Sequence, residues 1–294
     1  MSDTPGYLAY RIASGVIGSL PEPVIRRLGL AGGWLASFIT RGRFALVQRN
    51  LARVVGEDNA TPRRVRKMFG SYGRYWAEVL WIRSGRAEDI RRHSAVHGAE
   101  HITDGLAAGK GVIVALPHLG NWEMAGIAAD DLGARMLAAA EALPNQKIVD
   151  WFIETRNAMN IDVVIVGRDR SSTAALLNRL KEGGAIALLS DRDLSQRGIE
   201  VEFFGERTTL PAGPAALAER TGAALLPVGC YFRRGRGHDF EVAPPIPIPD
   251  LPTKAARVAA MTQEFAYELE RLIRKAPEQW HLFQPNWPSD REPR

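Results

Sequence analysis

From about residue 94 the chain alternates short apolar runs with segments of helical periodicity, and this alternation limits the possible folds more than any other feature. Apolar runs typical of buried strands occupy residues 111–116, 136–140, 163–166, 185–189 and 223–228. Helical patterns occupy residues 121–132, 146–159, 172–181 and 214–220. Strand–helix–strand alternation is typical of a largely parallel sheet covered by helices. We therefore predict an α/β fold with a mixed, largely parallel central sheet.

The first ninety residues and the end of the chain have helical patterns without intervening strands. Apolar residues at helical spacing predict helices over residues 7–20, 28–39, 61–81 and 254–275. Thr61 can cap the third of these helices, and Pro62 suits its first turn. We expect residues 1–92 to form a helical N-terminal region and residues 93–294 to form an α/β core, both within one integrated domain.

Charge is distributed unevenly along the chain. The formal net charge is +5, but residues 1–92 hold 16 Lys and Arg against only 7 Asp and Glu. A basic region of this kind suits an anionic partner, either a membrane surface or nucleic acid. Its arginines are scattered over helices rich in Trp and Leu, and no nucleic-acid-binding motif is recognisable. We therefore predict an anionic membrane surface as partner and no nucleic acid.

Three sequence features bear on location. The longest apolar run, residues 28–40, is shorter than the about 20 residues that a membrane-spanning helix needs. Arg11 interrupts the apolar stretch of residues 1–20, and no small-residue cleavage site follows, so we expect no signal peptide. The single cysteine, Cys230, cannot form an internal disulfide. We expect a peripheral protein on the cytoplasmic face of the plasma membrane.

Polar residues cluster where three predicted strands end. One strand runs into His118 and Glu123, another into residues 167–170 (Gly-Arg-Asp-Arg), and a third into residues 190–193 (Ser-Asp-Arg-Asp). Ligands of parallel sheets bind beyond the carboxyl ends of the strands. A carboxylate near an imidazole fixes its tautomer and stabilises the imidazolium, as a general base requires. A single His–acid pair is often structural, but three such strand ends together predict a catalytic site with His118 as its base.

The evenly spaced histidines in the middle of the chain do not indicate a metal centre. His93, His97 and His101 straddle a predicted helix-to-strand transition, and they lack both a neighbouring cysteine and an HExxH context. We interpret them as surface or packing residues. The sequence therefore predicts no metal site.

Several motifs resemble those of a known enzyme superfamily. The spacing of His118 and Glu123 resembles the His-x4-Asp/Glu signature of the lysophospholipid and lipid A acyltransferase superfamily. Further blocks of this superfamily and of its lipid A branch are similar to residues 49–51, 167–170, 226–228 and 277–287. Within it, the phosphatidylinositol mannoside acyltransferase family resembles residues 71–76, 115–118, 120–122, 192–194, 198–206 and 280–281. The resemblance covers residues 7–288, nearly the whole chain.

The resemblance implies an enzyme that moves an acyl chain from palmitoyl-CoA, or a similar donor, to a mannose hydroxyl of a phosphatidylinositol mannoside, a glycolipid acceptor. It implies His118 as general base and no cofactor, with acyl-CoA as co-substrate. In that family the histidine is paired with a glutamate before an Arg-Asp-Leu sequence. Asp191 occupies that position here, and Glu123 replaces an aspartate. Either Asp191 or Glu123 can therefore hold His118 Nδ1.

The same resemblance indicates substrate-binding residues. Glu141 and Arg156 match family positions that lie either near the polar head of the acceptor or among the residues that support its binding site. The full set of candidates is Asn121, Glu141, Arg156, Arg168 and Arg192. An apolar groove near the base should hold the acyl chain, with Trp122, Met124 and Phe204 as candidate lining residues. Two alternatives remain open: a lipid A-type or glycerolipid acyltransferase that uses acyl-CoA or acyl carrier protein, and a non-catalytic lipid-binding protein.

Overall fold

The computed structural model describes residues 4–141, 145–166, 171–193 and 196–291. Within these residues the chain forms eleven α-helices and nine β-strands. The helices are α1 (Thr4–Ser19), α2 (Glu22–Ile39), α3 (Arg41–Val55), α4 (Pro62–Trp81), α5 (Ala87–Arg92), α6 (Ala99–Ala107), α7 (Trp122–Ala129), α8 (Gln146–Asn157), α9 (Ser171–Lys181), α10 (Gly213–Thr221) and α11 (Lys254–Lys275). The strands are β1 (Ser94–His97), β2 (Val112–Leu116), β3 (Met136–Glu141), β4 (Asp162–Val166), β5 (Ala185–Leu189), β6 (Ile199–Phe203), β7 (Glu206–Leu210), β8 (Ala224–Phe232) and β9 (His238–Val242).

Seven of these strands form the central sheet in the order β1-β9-β8-β2-β5-β3-β4. The five strands from β8 to β4 in this order are parallel, β9 is antiparallel to β8, and β1 is parallel to β9. β6 and β7 form a separate antiparallel hairpin. All five residues of β2 are buried because the sheet is covered on both faces. The predicted mixed, largely parallel sheet is therefore confirmed.

The two faces of the sheet carry separate hydrophobic cores. Side chains alternate between the faces along a strand, so Ile113 and Ala115 of β2 join one core while Val114 and Leu116 join the other. The first core includes residues of α9, α10 and α11, and the second includes residues of α6 and α7. The candidate site described below lies on the face that α7 covers.

The helices and strands predicted from the sequence are present, with most boundaries shifted by a few residues, while α2 begins at Glu22 instead of residue 28. The elements that were not predicted are α3, α5, α6, β1, β9 and the β6–β7 hairpin. β1 and β9 are short and rich in polar residues, and they are held by pairing with each other and with β8. Such segments lack a strong local pattern, because neighbouring strands rather than their own sequence stabilise them.

Helices α1 and α2 lie against α4 and leave an apolar outer surface. Gly33 of α2 lets the two backbones approach, since a Cβ atom there would lie 2.0 Å from the carbonyl oxygen of Phe69 in α4. α1 packs on α4 and α8. The exposed large side chains of this α1–α2 apolar face are Leu8, Ile12, Val16, Val24, Leu28, Leu30, Trp34, Leu35, Phe38 and Ile39. In the described part of the chain, no helix is both long and apolar enough to cross a membrane.

Candidate active site

The pairing of β2 with β5 brings His118 and Asp191 together. These parallel neighbours pair Leu116 with Leu189, so the residues two positions beyond lie opposite each other. His118 Nδ1 is 2.6 Å from Asp191 Oδ1, although the two residues are 73 positions apart in the chain. Of the two carboxylates predicted as partners of His118 Nδ1, Asp191 therefore makes this hydrogen bond.

Asp191 is fully buried and is held by several hydrogen bonds. Its Oδ2 accepts from the backbone N–H of His118 at 3.0 Å and from Trp280 Nε1–H at 2.8 Å, and its carbonyl oxygen accepts from Asn286 Nδ2 at 3.1 Å. Burial alone raises the pKa of the carboxyl group, but the His118 ring and the bonds from His118 and Trp280 outweigh it and hold this pKa below its usual value. An ionised Asp191 accepts from Nδ1–H, which leaves Nε2 of His118 able to take a proton.

A tight turn after His118 leads the chain into α7. Gly120 has a φ of +60°, and a Cβ atom there would lie 2.3 Å from the carbonyl oxygen of Cys230. Only glycine fits this position without strain. The side chain of His118 remains 18% exposed, which makes its ring reachable from the adjoining cavity.

Glu123 is bound to an arginine and does not hold the histidine. Arg156 donates from Nε to Oε2 of Glu123 at 2.8 Å and from Nη2 to Oε1 at 2.5 Å, a two-point ion pair between α8 and α7. Burial lowers the pKa of Arg156, but the charge and hydrogen bonds of Glu123 outweigh it, so this pKa is raised. The expectation that Glu123 could hold His118 Nδ1 is therefore wrong, because both carboxylate oxygens are engaged by Arg156.

The other predicted substrate-binding residues have different surroundings. Arg192 Nη2 donates to Glu141 Oε1 at 2.8 Å, and Arg192 also donates to Gln284. Glu141 and Arg192 both line the cavity beside His118. Arg168 lies in residues 167–170, outside the described residues.

The side chain of Asn121 is buried and does not line the cavity. Its Nδ2 donates to Glu78 Oε2 at 2.8 Å, and its Oδ1 accepts from the backbone N–H of Glu123 at 3.2 Å. Both polar atoms are therefore used in capping α7 and anchoring it to α4. The prediction of a substrate contact for Asn121 is wrong for this reason.

An apolar cavity of about 650 Å³ opens beside His118. Its walls come from the sheet and from α7 and α8, which lie over the sheet, and residues of α4 and of the segment after α11 complete them. Its apolar lining includes Val96, Ile102, Val114, Leu116, Trp122, Ala125, Gly126, Ala129, Met136, Ala138, Ala140, Phe152, Ile153, Ile161, Val163, Ile165, Val228, Phe240 and Val242. Its ionisable lining residues include His118, Glu123, Glu141, Arg156, Arg192, Asp193 and His281. Small-molecule sites have this composition, with an apolar interior and a few polar groups.

The candidate lining residues proposed from the sequence are only partly at this cavity. Trp122 lines it, and its ring lies against the ring of His118 with centroids 5.2 Å apart. Met124 and Phe204 are instead buried within the two hydrophobic cores. Alternate residues of α7 face opposite directions, which a single apolar run does not reveal.

The segment after α11 completes the site, and sequence reasoning missed its role. The backbone N–H of His281 donates to the carbonyl oxygen of His118 at 2.6 Å, and the Trp280 indole binds Asp191. The family resemblance of residues 280–281 was the signal available. Among the residues that the structure describes, no group of three or more His, Cys, Asp or Glu side chains could hold a metal ion.

Comparison with known proteins identifies the family. The family model for bacterial lipid A biosynthesis acyltransferases matches residues 2–289. A phosphatidylinositol mannoside acyltransferase of Mycobacterium tuberculosis is 36% identical over 288 residues, covering 96% of this chain and 88% of the relative. One from Mycolicibacterium smegmatis is 35% identical, covering 96% and 91%. The lipid A biosynthesis lauroyltransferase of Escherichia coli is 30% identical, covering 90% and 85%.

These matches agree with the arrangement of the site. An imidazole held by a buried carboxylate, next to an apolar cavity, suits the transfer of an apolar group to a hydroxyl, and the relatives are named acyltransferases. The protein is therefore an O-acyltransferase. It belongs to the bacterial lipid A biosynthesis acyltransferase family.

Proposed function

We propose that this O-acyltransferase moves a palmitoyl-type acyl chain from acyl-CoA to a mannose hydroxyl of a phosphatidylinositol mannoside, with His118 as general base. The observation that carries the proposal is the His118–Asp191 pair at the edge of the apolar cavity. The acceptor is inferred from the likeness to the two mycobacterial acyltransferases, which extends over 96% of the chain.

The geometry supports direct transfer. Nε2 of His118 removes the proton of the acceptor hydroxyl while the hydroxyl oxygen bonds to the thioester carbonyl carbon. The carbon–sulfur bond then breaks, and the imidazolium returns the proton to the departing thiolate. Asp191 stabilises the imidazolium between these two transfers. An acyl-enzyme is unnecessary, because a thioester is already an activated acyl donor.

The cavity beneath α7 is proposed to hold the acyl chain. Its volume falls within the about 300–1,000 Å³ of typical ligand pockets. Each methylene group that leaves water for such a cavity contributes about 0.8 kcal/mol. A long chain is therefore bound strongly while its thioester stays at the charged end, beside His118.

The charged end of the cavity is proposed to bind the polar head of the acceptor. Arg192 and Glu141 form an ion pair there, and Arg156 and Glu123 form a second. Arginine and carboxylate groups at this position can bind phosphate oxygens and sugar hydroxyls. Glu123 is thus proposed as a group that positions Arg156.

The α1–α2 apolar face is proposed to dock peripherally on the cytoplasmic face of the plasma membrane. Exposed Arg27, Arg41 and Arg43 accompany it, and each basic residue near an anionic surface contributes about 1 kcal/mol. Trp76 of α4 is 38% exposed and also lines the cavity. A lipid acceptor could therefore reach His118 from the side of the protein that carries α4.

Docking can be tested by flotation with anionic liposomes. The combined substitution of Leu28, Leu35 and Ile39 by serine removes apolar area from this face, and we expect membrane binding to fall. Ile248→Ser with Tyr267→Ser is the control, since these side chains are also exposed but lie outside the N-terminal helices. Equal flotation of both variants and the parent would contradict docking by α1 and α2.

The proposed reaction can be tested with labelled palmitoyl-CoA, palmitoyl acyl carrier protein and a panel of acceptors, with products read by mass spectrometry. The panel contains phosphatidylinositol mannosides, lipid A precursors and lysophospholipids. We expect acylated mannoside from the CoA thioester and a loss of at least 10²-fold in turnover for His118→Ala. Product from lipid A precursors or lysophospholipids alone would overturn the acceptor assignment. No thioester turnover with any pair would overturn the enzymatic proposal.

A further inference from the structure

A second histidine lies at the same cavity as His118. His281 follows α11, and its backbone N–H donates to the carbonyl oxygen of His118. Its side chain is 5% exposed, packs near Tyr72, Tyr75 and Trp122, and lines the cavity. The proposed reaction described above gives this ring no role.

The hydrogen bonds of His281 determine which nitrogen carries its proton. Nε2 lies 2.9 Å from Ser71 Oγ, whereas Nδ1 is buried and has no hydrogen-bond partner within the described ranges. The Ser71 hydroxyl is itself buried, and His281 is its partner. If Nε2–H donated to Ser71, both the hydroxyl proton and Nδ1 would be unpaired. If Ser71 donates to Nε2, only an Nδ1–H donor remains unpaired, so this second tautomer is favoured.

An unpaired buried donor is unusual enough to require a reason. Leaving such a group without a partner costs about 1–3 kcal/mol. A ligand oxygen that reached Nδ1 from the adjoining cavity would remove this cost, and the cavity is where the proposed substrates meet. The unpaired N–H is thus a binding group that the folded protein alone does not satisfy.

The charge state of His281 suits a hydrogen-bond donor. Burial, with the nearby His118 acting in the same direction, lowers the pKa of His281 to about 3. The ring is therefore neutral at physiological pH and does not compete with His118 for the proton of the acceptor. A neutral imidazole still donates from its N–H, and donors that are already in place stabilise developing negative charge most effectively.

We propose that His281 Nδ1–H donates a hydrogen bond to the thioester carbonyl oxygen of the acyl donor as negative charge develops on it. This role rests on the proposed transfer reaction, in which that oxygen gains charge when the acceptor hydroxyl attacks. Ser71 is a positioning residue here, because its hydroxyl holds the tautomer that makes Nδ1 a donor.

Two conservative substitutions separate this role from packing. In His281→Asn the side-chain amide N–H lies near the position of Nδ1, whereas in His281→Gln the amide reaches the position of Nε2 and can still bind Ser71. Removal of one oxyanion donor lowers kcat by about 10²- to 10³-fold. We expect that loss for His281→Gln, with KM for the acyl donor nearly unchanged, and a much smaller loss for His281→Asn. Ser71→Ala keeps the donor and should lose less than His281→Gln.

A turnover by His281→Gln equal to that of the parent would overturn the proposal. So would equal losses in the Asn and Gln variants with matching losses of thermal stability, since these indicate packing alone. If the Gln variant does not fold, the tautomer of His281 in the parent protein is measured instead. Nitrogen NMR of the full chain with labelled histidine should show His281 protonated at Nδ1, and protonation at Nε2 would overturn the proposal.

The experiment also distinguishes this proposal from the choice of acceptor. The charged oxygen belongs to the donor thioester, so His281→Gln should lower turnover with whichever acceptor the acceptor panel identifies. A failure of phosphatidylinositol mannosides as acceptors would leave the role of His281 intact. Normal turnover by His281→Gln beside a His118→Ala variant with no turnover would reject the donor role and keep the general base.

Discussion

The α1–α2 apolar face and the cavity beneath α7 are both apolar surfaces that the described chain leaves uncovered, but their surroundings differ. The outer face is broad, with Ile39 83% exposed, and arginines stand around it. The cavity is more enclosed, and His118, which the buried Asp191 holds, lies at its edge. Large exposed apolar patches mark interaction sites. This difference matches the two proposed roles, in which the outer face docks on a bilayer and the cavity holds a single acyl chain.

The largest effect should come from the enclosed site. In Asp191→Asn the acceptor of His118 Nδ1–H is lost, so the imidazolium is not stabilised and kcat should fall by about 10²- to 10⁴-fold. Steady-state turnover of palmitoyl-CoA measures this. Asp191→Glu is the matched control and should keep more activity, because it retains the charge that the related family carries there. Liposome flotation should be the same for both variants, and a parent-like kcat for Asp191→Asn would contradict the pairing.

A second effect should depend on acyl-chain length. Gly126 of α7 lines the cavity, and a Cβ atom there would lie 2.7 Å from Ile161 Cδ1. Gly126→Leu should therefore fill the cavity and reduce turnover of palmitoyl-CoA by about 10- to 100-fold, with a smaller loss for octanoyl-CoA. Gly15→Leu adds the same side chain to the exposed surface of α1 and should alter neither value. An equal loss of turnover for palmitoyl-CoA and octanoyl-CoA would contradict binding of the acyl chain in this cavity.

A third effect concerns the loss of folding stability in acid. We expect His281 at the cavity to contribute to it, whereas the α1–α2 apolar face should not. The pKa of His281 is about 3 in the folded protein and 6.5 in its ordinary state. As the pH falls, His281 therefore takes up a proton in the unfolded chain at a higher pH than in the folded protein. Its contribution to the free energy of unfolding is complete above pH 6.5 and is lost toward pH 3. Between pH 6.5 and 5 the loss should be about 2 kcal/mol. The pKa of Asp191 is also lowered, but the stability that this contributes is lost only at more acidic pH.

Chemical denaturation of the parent and of His281→Gln across this pH range measures the acid effect. Glutamine does not titrate, so the variant should lack the His281 contribution to the slope. Identical slopes for the two proteins would contradict the buried, neutral state of His281.

The smallest effect should come from the outer face. Arg43→Gln removes one exposed charge next to the α1–α2 apolar face and should weaken binding to anionic liposomes by about 1 kcal/mol, about fivefold. Arg220→Gln on α10 is the control, an exposed arginine of the α/β core. Flotation at two salt concentrations measures the difference, which should shrink at high salt because screening weakens surface charges. Equal binding by the two variants would contradict a membrane contact near Arg43.

Local pattern was sufficient to predict most of the helices and strands and the position of His118. Apolar runs and helical spacing predicted the strands and helices of the parallel sheet, because side-chain periodicity is a property of neighbouring residues. The run before His118 also placed this residue at a strand end. The same reasoning did not find β1 and β9, which depend on each other for pairing.

Partner choice was decided only by the tertiary structure. Sequence proximity favoured Glu123 and the family resemblance favoured Asp191. The register of β2 and β5 brings Asp191 to His118, while α8 brings Arg156 to Glu123. The side chain of Asn121 is held in the interior by its hydrogen bond to Glu78, which lies on α4 and is far away in the sequence. These contacts join residues far apart in the chain, and no local spacing encodes such distances.

The sequence by itself determined that the chain would form a helix-covered parallel sheet with a histidine at the end of one strand, because short-range periodicity sets elements and their order. Only the folded structure decided which acid holds that histidine, that a cavity lies beside it, and that His281 returns to it from the end of the chain. The physical reason is that burial and hydrogen bonding depend on which surfaces meet. Which surfaces contact each other is determined by the packing of the whole chain.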